Sequence, residues 1–64
     1  MQKRSVTLAG HRTSILLEPA FWVALEAVAA KRGQSLQKLI EEVDSKRENA
    51  NLASALRVLA LAEK

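Results

Sequence analysis

The chain has 64 residues, no cysteine and a formal net charge of +3. It is long enough for one domain with a small core, so self-association is expected to add stability. Because the chain has no cysteine, disulfides and thiolate metal sites are excluded, which fits the cytoplasm. Residues 1–38 carry six basic and two acidic side chains, so any polyanion is expected to meet the N-terminal part.

Two segments near the N-terminus have strand character. Residues 5–8 and 12–17 are rich in β-branched and apolar side chains, and Ala9-Gly10 between them is suited to a tight turn. Side chains alternate along a strand, so one face of the second segment is predicted to turn inward: Thr13, Ile15 and Leu17. The opposite face is predicted to point outward: Arg12, Ser14 and Leu16.

Two amphipathic helices are predicted next. Pro19 suits the first position of a helix and Gly33 the position just past its end, which places helix A at about residues 19–32. Ser35 can cap helix B, at about residues 36–47. The apolar side of helix B repeats with helical spacing: Leu36, Leu39, Ile40 and Val43.

A third helix follows a polar break. Asn51 can cap helix C, at about residues 52–62, in which only Ser54 and Arg57 interrupt the apolar surface. We therefore expect this helix to be mostly buried, in its own core or against a partner. The longest apolar run of the chain, residues 20–25, is too short for a membrane span.

Several residue types have both a functional and a structural interpretation. Phe21 and Trp22 could stack on bases, but aromatic residues at the start of an amphipathic helix are more often packing residues. His11 has no second soft ligand nearby and is interpreted as a turn residue. Three acidic positions could bind a cation but are expected to form a solvated helix face: Glu41, Glu42 and Asp44. No metal site, cofactor or catalytic motif is predicted, so an enzyme is not expected.

The order strand, turn, helix, turn, helix is that of the ribbon-helix-helix fold, to which the Arc and MetJ repressors belong. Residues 12–22 (RTSILLEPAFW), 32–36 (RGQSL) and 51–58 (NLASALRV) resemble a subfamily of small bacterial DNA-binding proteins of this kind. The likeness extends over most of residues 3–62.

The resemblance implies a mainly α fold with a short β-ribbon, in an intertwined homodimer whose strands pair antiparallel across two subunits. The ribbon would enter the major groove of double-stranded DNA, with three side chains on the bases: Arg12, Ser14 and Leu16. Leu16 departs from the polar residue usual at its position and offers only apolar contact, for instance to a thymine methyl group.

The resemblance also implies that the N-terminus of helix B holds a DNA phosphate, and free backbone N–H groups there do attract anions. The predicted phosphate contacts are Lys3, Arg4, Gln34, Ser35 and Lys38. The predicted dimer core is Ile15, Leu17, Phe21, Trp22, Leu25, Leu36, Leu39, Ile40 and Val43.

Two functions remain open on the sequence alone. The first is a dimeric transcriptional regulator, such as a repressor. The second is a dimeric protein-interaction module, antitoxin-like or a scaffold, with weak or lost DNA binding; Leu16 and the apolar helix C favour it. Helix C could also join dimers into a higher oligomer or bind another protein.

Overall fold

The computed structural model describes residues 1–47 and 51–63. The elements in chain order are β1 (Gln2–Leu8), β2 (His11–Leu17), α1 (Pro19–Lys31), α2 (Leu36–Lys46) and α3 (Leu52–Ala62). A two-stranded antiparallel ribbon followed by three helices is the predicted fold class. β1 begins three residues before its predicted start, because its first residues pair with the end of β2.

The two strands form a hairpin within one chain, and we call this hairpin the ribbon. Its register runs from Gln2 opposite Leu17 to Leu8 opposite His11. The two turn residues, Ala9 and Gly10, have φ values of 51° and 81°. Positive φ at both positions is typical of a type I′ turn, whose twist matches that of the strands. Within the chain, β2 therefore has β1 as its antiparallel neighbour.

Local signals define where α1 ends and α2 begins. Gly33 has φ 67°, and the Gln34 N–H donates to the Ala29 carbonyl at 2.9 Å. This six-to-one bond and the left-handed glycine form a Schellman motif, which ends α1. Ser35 follows at once and caps α2 by accepting a hydrogen bond from the Lys38 N–H at 3.1 Å. Only residues 32–35 therefore connect α1 to α2.

Within the part of the chain that the structure describes, twelve buried apolar side chains form a core between the ribbon and the helices. The six that are fully enclosed are Leu17, Trp22, Leu25, Leu39, Ile40 and Leu56. Of the predicted dimer core, six residues are buried by this chain alone: Ile15, Leu17, Trp22, Leu25, Leu39 and Ile40. The other three are partly buried against them: Phe21, Leu36 and Val43.

The third helix is what closes this core within one chain. α3 begins at the Asn51 side chain, which accepts from the N–H groups of Ala53 and Ser54. It buries Leu56 and Ala60 against the helices before it. α3 therefore covers this side of the core within the chain.

Candidate nucleic-acid interface

The ribbon has an outer face, turned away from the helices, that carries three side chains from each strand. These residues are Lys3, Ser5, Thr7, Arg12, Ser14 and Leu16. All six are exposed, whereas Val6, Leu8, Ile15 and Leu17 on the inner face are buried. Strand alternation thus places the three predicted base-contacting residues of β2 on one solvent face.

The outer face is a polar surface without internal partners. In residues 1–47 and 51–63, no hydrogen bond or ion pair engages the side chains of Lys3, Ser5, Thr7, Arg12 or Ser14. Leu16 stands among them with 52% of its surface exposed. The donors and acceptors of this face are therefore available to an external ligand.

Arg12 differs from the other arginines of the described chain. Arg4, Arg32, Arg47 and Arg57 each form an ion pair with a glutamate or aspartate of this chain. In the part of the chain that the structure describes, Arg12 is the only arginine without such a pair. An unpaired guanidinium keeps all five N–H donors for an acceptor outside the protein.

Arg4, predicted to contact phosphate, lies on the inner side of the ribbon. Its Nη1 donates to Glu26 Oε1 of α1 at 2.7 Å, and its guanidinium carbon lies 4.9 Å from the centroid of the Trp22 ring. The Trp22 Nε1–H in turn donates to the Gln2 carbonyl at 2.9 Å. Arg4 thus fastens the ribbon to α1 and does not belong to the outer face.

The N-terminus of α2 carries the other predicted phosphate contacts. Ser35 and Lys38 are exposed there, and the Ser35 hydroxyl satisfies only the Lys38 N–H. The backbone N–H groups of the first two helical residues need other partners, as at any helix start. The Gln34 side chain instead contacts α2. Its Nε2 donates to Glu42 Oε2 at 2.6 Å, and its buried Oε1 has no partner in the described chain.

Gln37 connects this helix end to the ribbon. Its Oε1 accepts from the Thr7 N–H at 3.3 Å, and its Nε2 donates to the Thr7 carbonyl. The same Nε2 lies 2.8 Å from Glu41 Oε2, one turn further along α2. The amide bonds both backbone groups of one residue of β1, as a neighbouring strand would. The α2 N-terminus is therefore held beside the ribbon.

The sequence prediction did not include Ser5, Thr7 and Gln37. Ser5 and Thr7 could have been found from the alternation in the first strand, where each is followed by a buried apolar residue, Val6 and Leu8. Gln37 had no such signal, because a glutamine in the first turn of a polar helix face is common in any protein.

A second group of charges fixes α3 to α1. Arg57 Nη2 lies 3.0 Å from Glu18 Oε1, and the guanidinium carbon lies 5.8 Å from the Phe21 ring centroid. A backbone hydrogen bond at Glu18 itself, and then the bond from Arg57, lower the pKa of the Glu18 carboxyl. Phe21 therefore lies in helix packing and away from the outer face.

Neither a metal centre nor a membrane-spanning helix occurs among the described residues. Within residues 1–47 and 51–63, no cluster of three or more histidine, aspartate or glutamate side chains could hold a metal ion. None of the described helices combines the length and apolar character that crossing a bilayer requires.

Comparison with known proteins gives one family and one similar solved structure. The model of a ribbon-helix-helix domain family matches residues 1–63. The chain is similar to an uncharacterized protein from Bordetella pertussis Tohama I, with 42% identity and a TM-score of 0.83. That match covers 97% of this chain and 54% of the other, so this chain spans about half the length of its relative. No curated protein matches significantly.

Proteins with this domain are typically DNA-binding transcription regulators or antitoxins, and they generally form dimers. The family match covers nearly the whole chain, and the ribbon and its following helices have the order that defines the fold. This chain belongs to the ribbon-helix-helix family.

Proposed function

We propose that the protein is a sequence-specific transcriptional regulator that binds double-stranded DNA as a dimer, with its ribbon in the major groove. It acts in the cytoplasm and is not an enzyme. The observation that carries this proposal is Arg12, exposed on the outer face and without an acidic partner in the described chain. A guanidinium can donate two hydrogen bonds to O6 and N7 of guanine, and Ser14 on the same face can donate or accept.

Phosphate contacts flank the ribbon in this proposal. Lys3 lies on the outer face, while Ser35, Lys38 and the free N–H groups of α2 lie beside β1, where Gln37 holds them. Such contacts release counterions, so affinity falls steeply with salt. Leu16 offers apolar contact to a thymine methyl group and adds no hydrogen bond.

The test compares Arg12→Ala with Lys46→Ala, which removes a positive charge of the same size from the last turn of α2. Binding is measured to an operator selected from random duplexes and to unselected duplex. Arg12→Ala is expected to lose roughly tenfold or more of the preference for the operator, the value of one good bidentate pair. Lys46→Ala should leave the preference intact. Unchanged affinity and preference in Arg12→Ala would refute the role of the ribbon.

A second copy has an apolar surface to cover on α1. Around the circumference of this helix, Glu26 and Lys31 mark the two borders of the solvent side. The exposed side chains that lie between these borders are all apolar: Ala20, Val23, Ala27 and Ala30. An exposed apolar stripe of this kind is typical of a protein–protein contact. We therefore place the dimer contact on this side of α1, which leaves the ribbon free for DNA.

Sedimentation over a dilution series tests that contact. Val23, 67% exposed, is changed to glutamate, and Val58→Glu on the exposed side of α3 serves as the matched control. Val23→Glu should yield folded monomers, because the core is enclosed by one chain. A Val23→Glu protein that remains dimeric would move the contact to the strands or to α3.

A protein-interaction module, antitoxin-like or a scaffold, is the second candidate. An open groove of about 710 Å³ lies between α1 and α3 and is lined mainly by alanines, and Leu61 of α3 is 57% exposed. Two results together would exclude this candidate. The wild-type protein and Leu61→Glu would both bind the operator, and a pull-down would recover no protein partner. Wild-type protein that binds operator and random duplex alike would favour it.

A further inference from the structure

We propose that β1 is a phosphate-contacting strand, in which the hydroxyl groups of Ser5 and Thr7 donate hydrogen bonds to the DNA backbone beside the N-terminus of α2. This inference rests on the proposed DNA-binding function and deepens it, because it divides the outer face of the ribbon between the two strands. Arg12 and Ser14 of β2 contact bases, whereas β1 contacts the backbone. Backbone contacts set the position of a protein on the duplex and read no sequence directly.

Gln37 places the phosphate-binding end of α2 next to β1. Its Oε1 accepts from the Thr7 N–H at 3.3 Å, and its Nε2 donates to the Thr7 carbonyl. Because a side chain of α2 reaches both backbone groups of Thr7, these groups point away from β2. Of the two strands, α2 packs chiefly against β1, and α3 packs against β2. The N-terminus of α2 therefore lies on the β1 side of the ribbon.

This order matches the cross-section of the major groove. Phosphates form the two walls of the groove, which is about 12 Å wide, and the base edges lie between them. Neighbouring strands lie about 4.8 Å apart, so a phosphate at the α2 N-terminus is about one strand spacing nearer to β1 than to β2. When α2 rests on a wall, β1 lies beside that wall and β2 lies over the bases.

The outer-face side chains of the two strands differ in the same sense. Ser5 and Thr7 are exposed, and in residues 1–47 and 51–63 no hydrogen bond engages either hydroxyl. Lys3 lies on the same face of β1 and adds a positive charge. Lysine, serine and threonine side chains commonly bind phosphate oxygens. β2 instead carries Arg12, which suits guanine, and Leu16, which cannot bind a phosphate but can contact a thymine methyl group.

The roles stay the same when a second copy adds a strand. Among the described residues β2 pairs with β1 alone, so its other edge is open to the antiparallel strand that the family resemblance implies. In a sheet of four strands the two copies of β2 lie in the middle, and the two copies of β1 lie about 14 Å apart. This separation exceeds the groove width of about 12 Å, so each β1 lies over a phosphate wall.

The experiment measures affinity for the selected operator and for random duplex with wild-type protein, Ser5→Ala and Thr7→Val. Ser54→Ala is the matched control, because Ser54 is an exposed serine on α3, away from the ribbon. Circular dichroism verifies that each variant is folded. Ser5→Ala and Thr7→Val should each lose about tenfold in affinity for both duplexes, the value of one hydrogen bond to a charged group. Their preference for the operator should not change, and Ser54→Ala should bind like the wild type.

Neutral backbone linkages separate a direct contact from a general loss of binding. Operators in which one methylphosphonate replaces one phosphate are compared across all positions. At the phosphate that Ser5 or Thr7 contacts, the loss from the linkage and the loss from the substitution should not add, because both remove the same hydrogen bond. The loss from Arg12→Ala should add to that of the same linkage.

Two results would overturn the inference while leaving the proposed function in place. In the first, Ser5→Ala or Thr7→Val changes the selected sequence, which would identify a base contact. In the second, either variant binds every duplex as tightly as the wild type, or its loss adds to that of every linkage. If the wild-type protein prefers no sequence, the proposed specific function fails, and equal losses of the two variants on random duplex would still support the phosphate contact.

Discussion

Ala9, the first residue of the ribbon turn, has a backbone conformation that an L-alanine seldom adopts. Its φ is 51°, where the Cβ approaches the following carbonyl oxygen at a cost of about 1–2 kcal/mol. Asparagine tolerates this region and is the preferred first residue of a type I′ turn before glycine. Because Ala9 is exposed, replacing it removes no packing. Ala9→Asn should therefore raise the free energy of unfolding by about 1 kcal/mol.

For a domain of this size, that gain corresponds to a rise in Tm of about 4–8 °C, measured by circular dichroism. Ala9→Gly should give a smaller rise, because glycine loses about 0.5–1 kcal/mol in backbone entropy. Two controls are expected to be destabilised: Ala9→Val, with a β-branched residue at positive φ, and Ala27→Asn, on the exposed side of α1. An Ala9→Asn protein that melts at or below the wild-type temperature would refute the reasoning.

Three further predictions concern contacts that hold the ribbon and α3 in place. Trp22→Phe should lower the free energy of unfolding by about 1–2 kcal/mol in urea titrations, since the ring shrinks and its N–H bond to β1 is lost. Gln37→Ala should accelerate hydrogen exchange at the Thr7 amide; an unchanged rate would mean that the bond contributes nothing in solution. The pKa of Glu18 is lowered from 4.5 by its backbone hydrogen bond first and by Arg57 second, so the ionised carboxylate stabilises the fold fully above that pH, and this stabilisation is lost as the pH falls through the lower folded value. Arg57→Gln should therefore reduce the pH dependence of the free energy of unfolding below pH 4.5, measured by urea titrations at several pH values.

Much of the fold follows from short-range rules. The alternation in β2 depends only on strand geometry, so Ile15 and Leu17 could be assigned to the core before any contact was known. Gly33 and Ser35 likewise act within a few residues, one ending α1 and the other capping α2. Signals of this kind are visible in a sequence because the interacting atoms are close along the chain.

Contacts between distant residues could not be predicted in this way. Arg4 looks like part of a basic tail, yet Glu26, 22 residues away, directs it to the inner side of the ribbon. Gln37 reaches Thr7 across 30 residues. The seven-residue register between β1 and β2 likewise depends on how the whole hairpin closes.

The chain contains a single tryptophan, and it is fully buried. The indole of Trp22 bonds to the first residue of β1 and lies under the guanidinium of Arg4, so both of its polar contacts come from the ribbon. Lifting the ribbon would remove both contacts and expose the indole to water. Its fluorescence can therefore report ribbon detachment as a red shift, and a helical signal recorded on the same sample separates that event from unfolding of the whole domain.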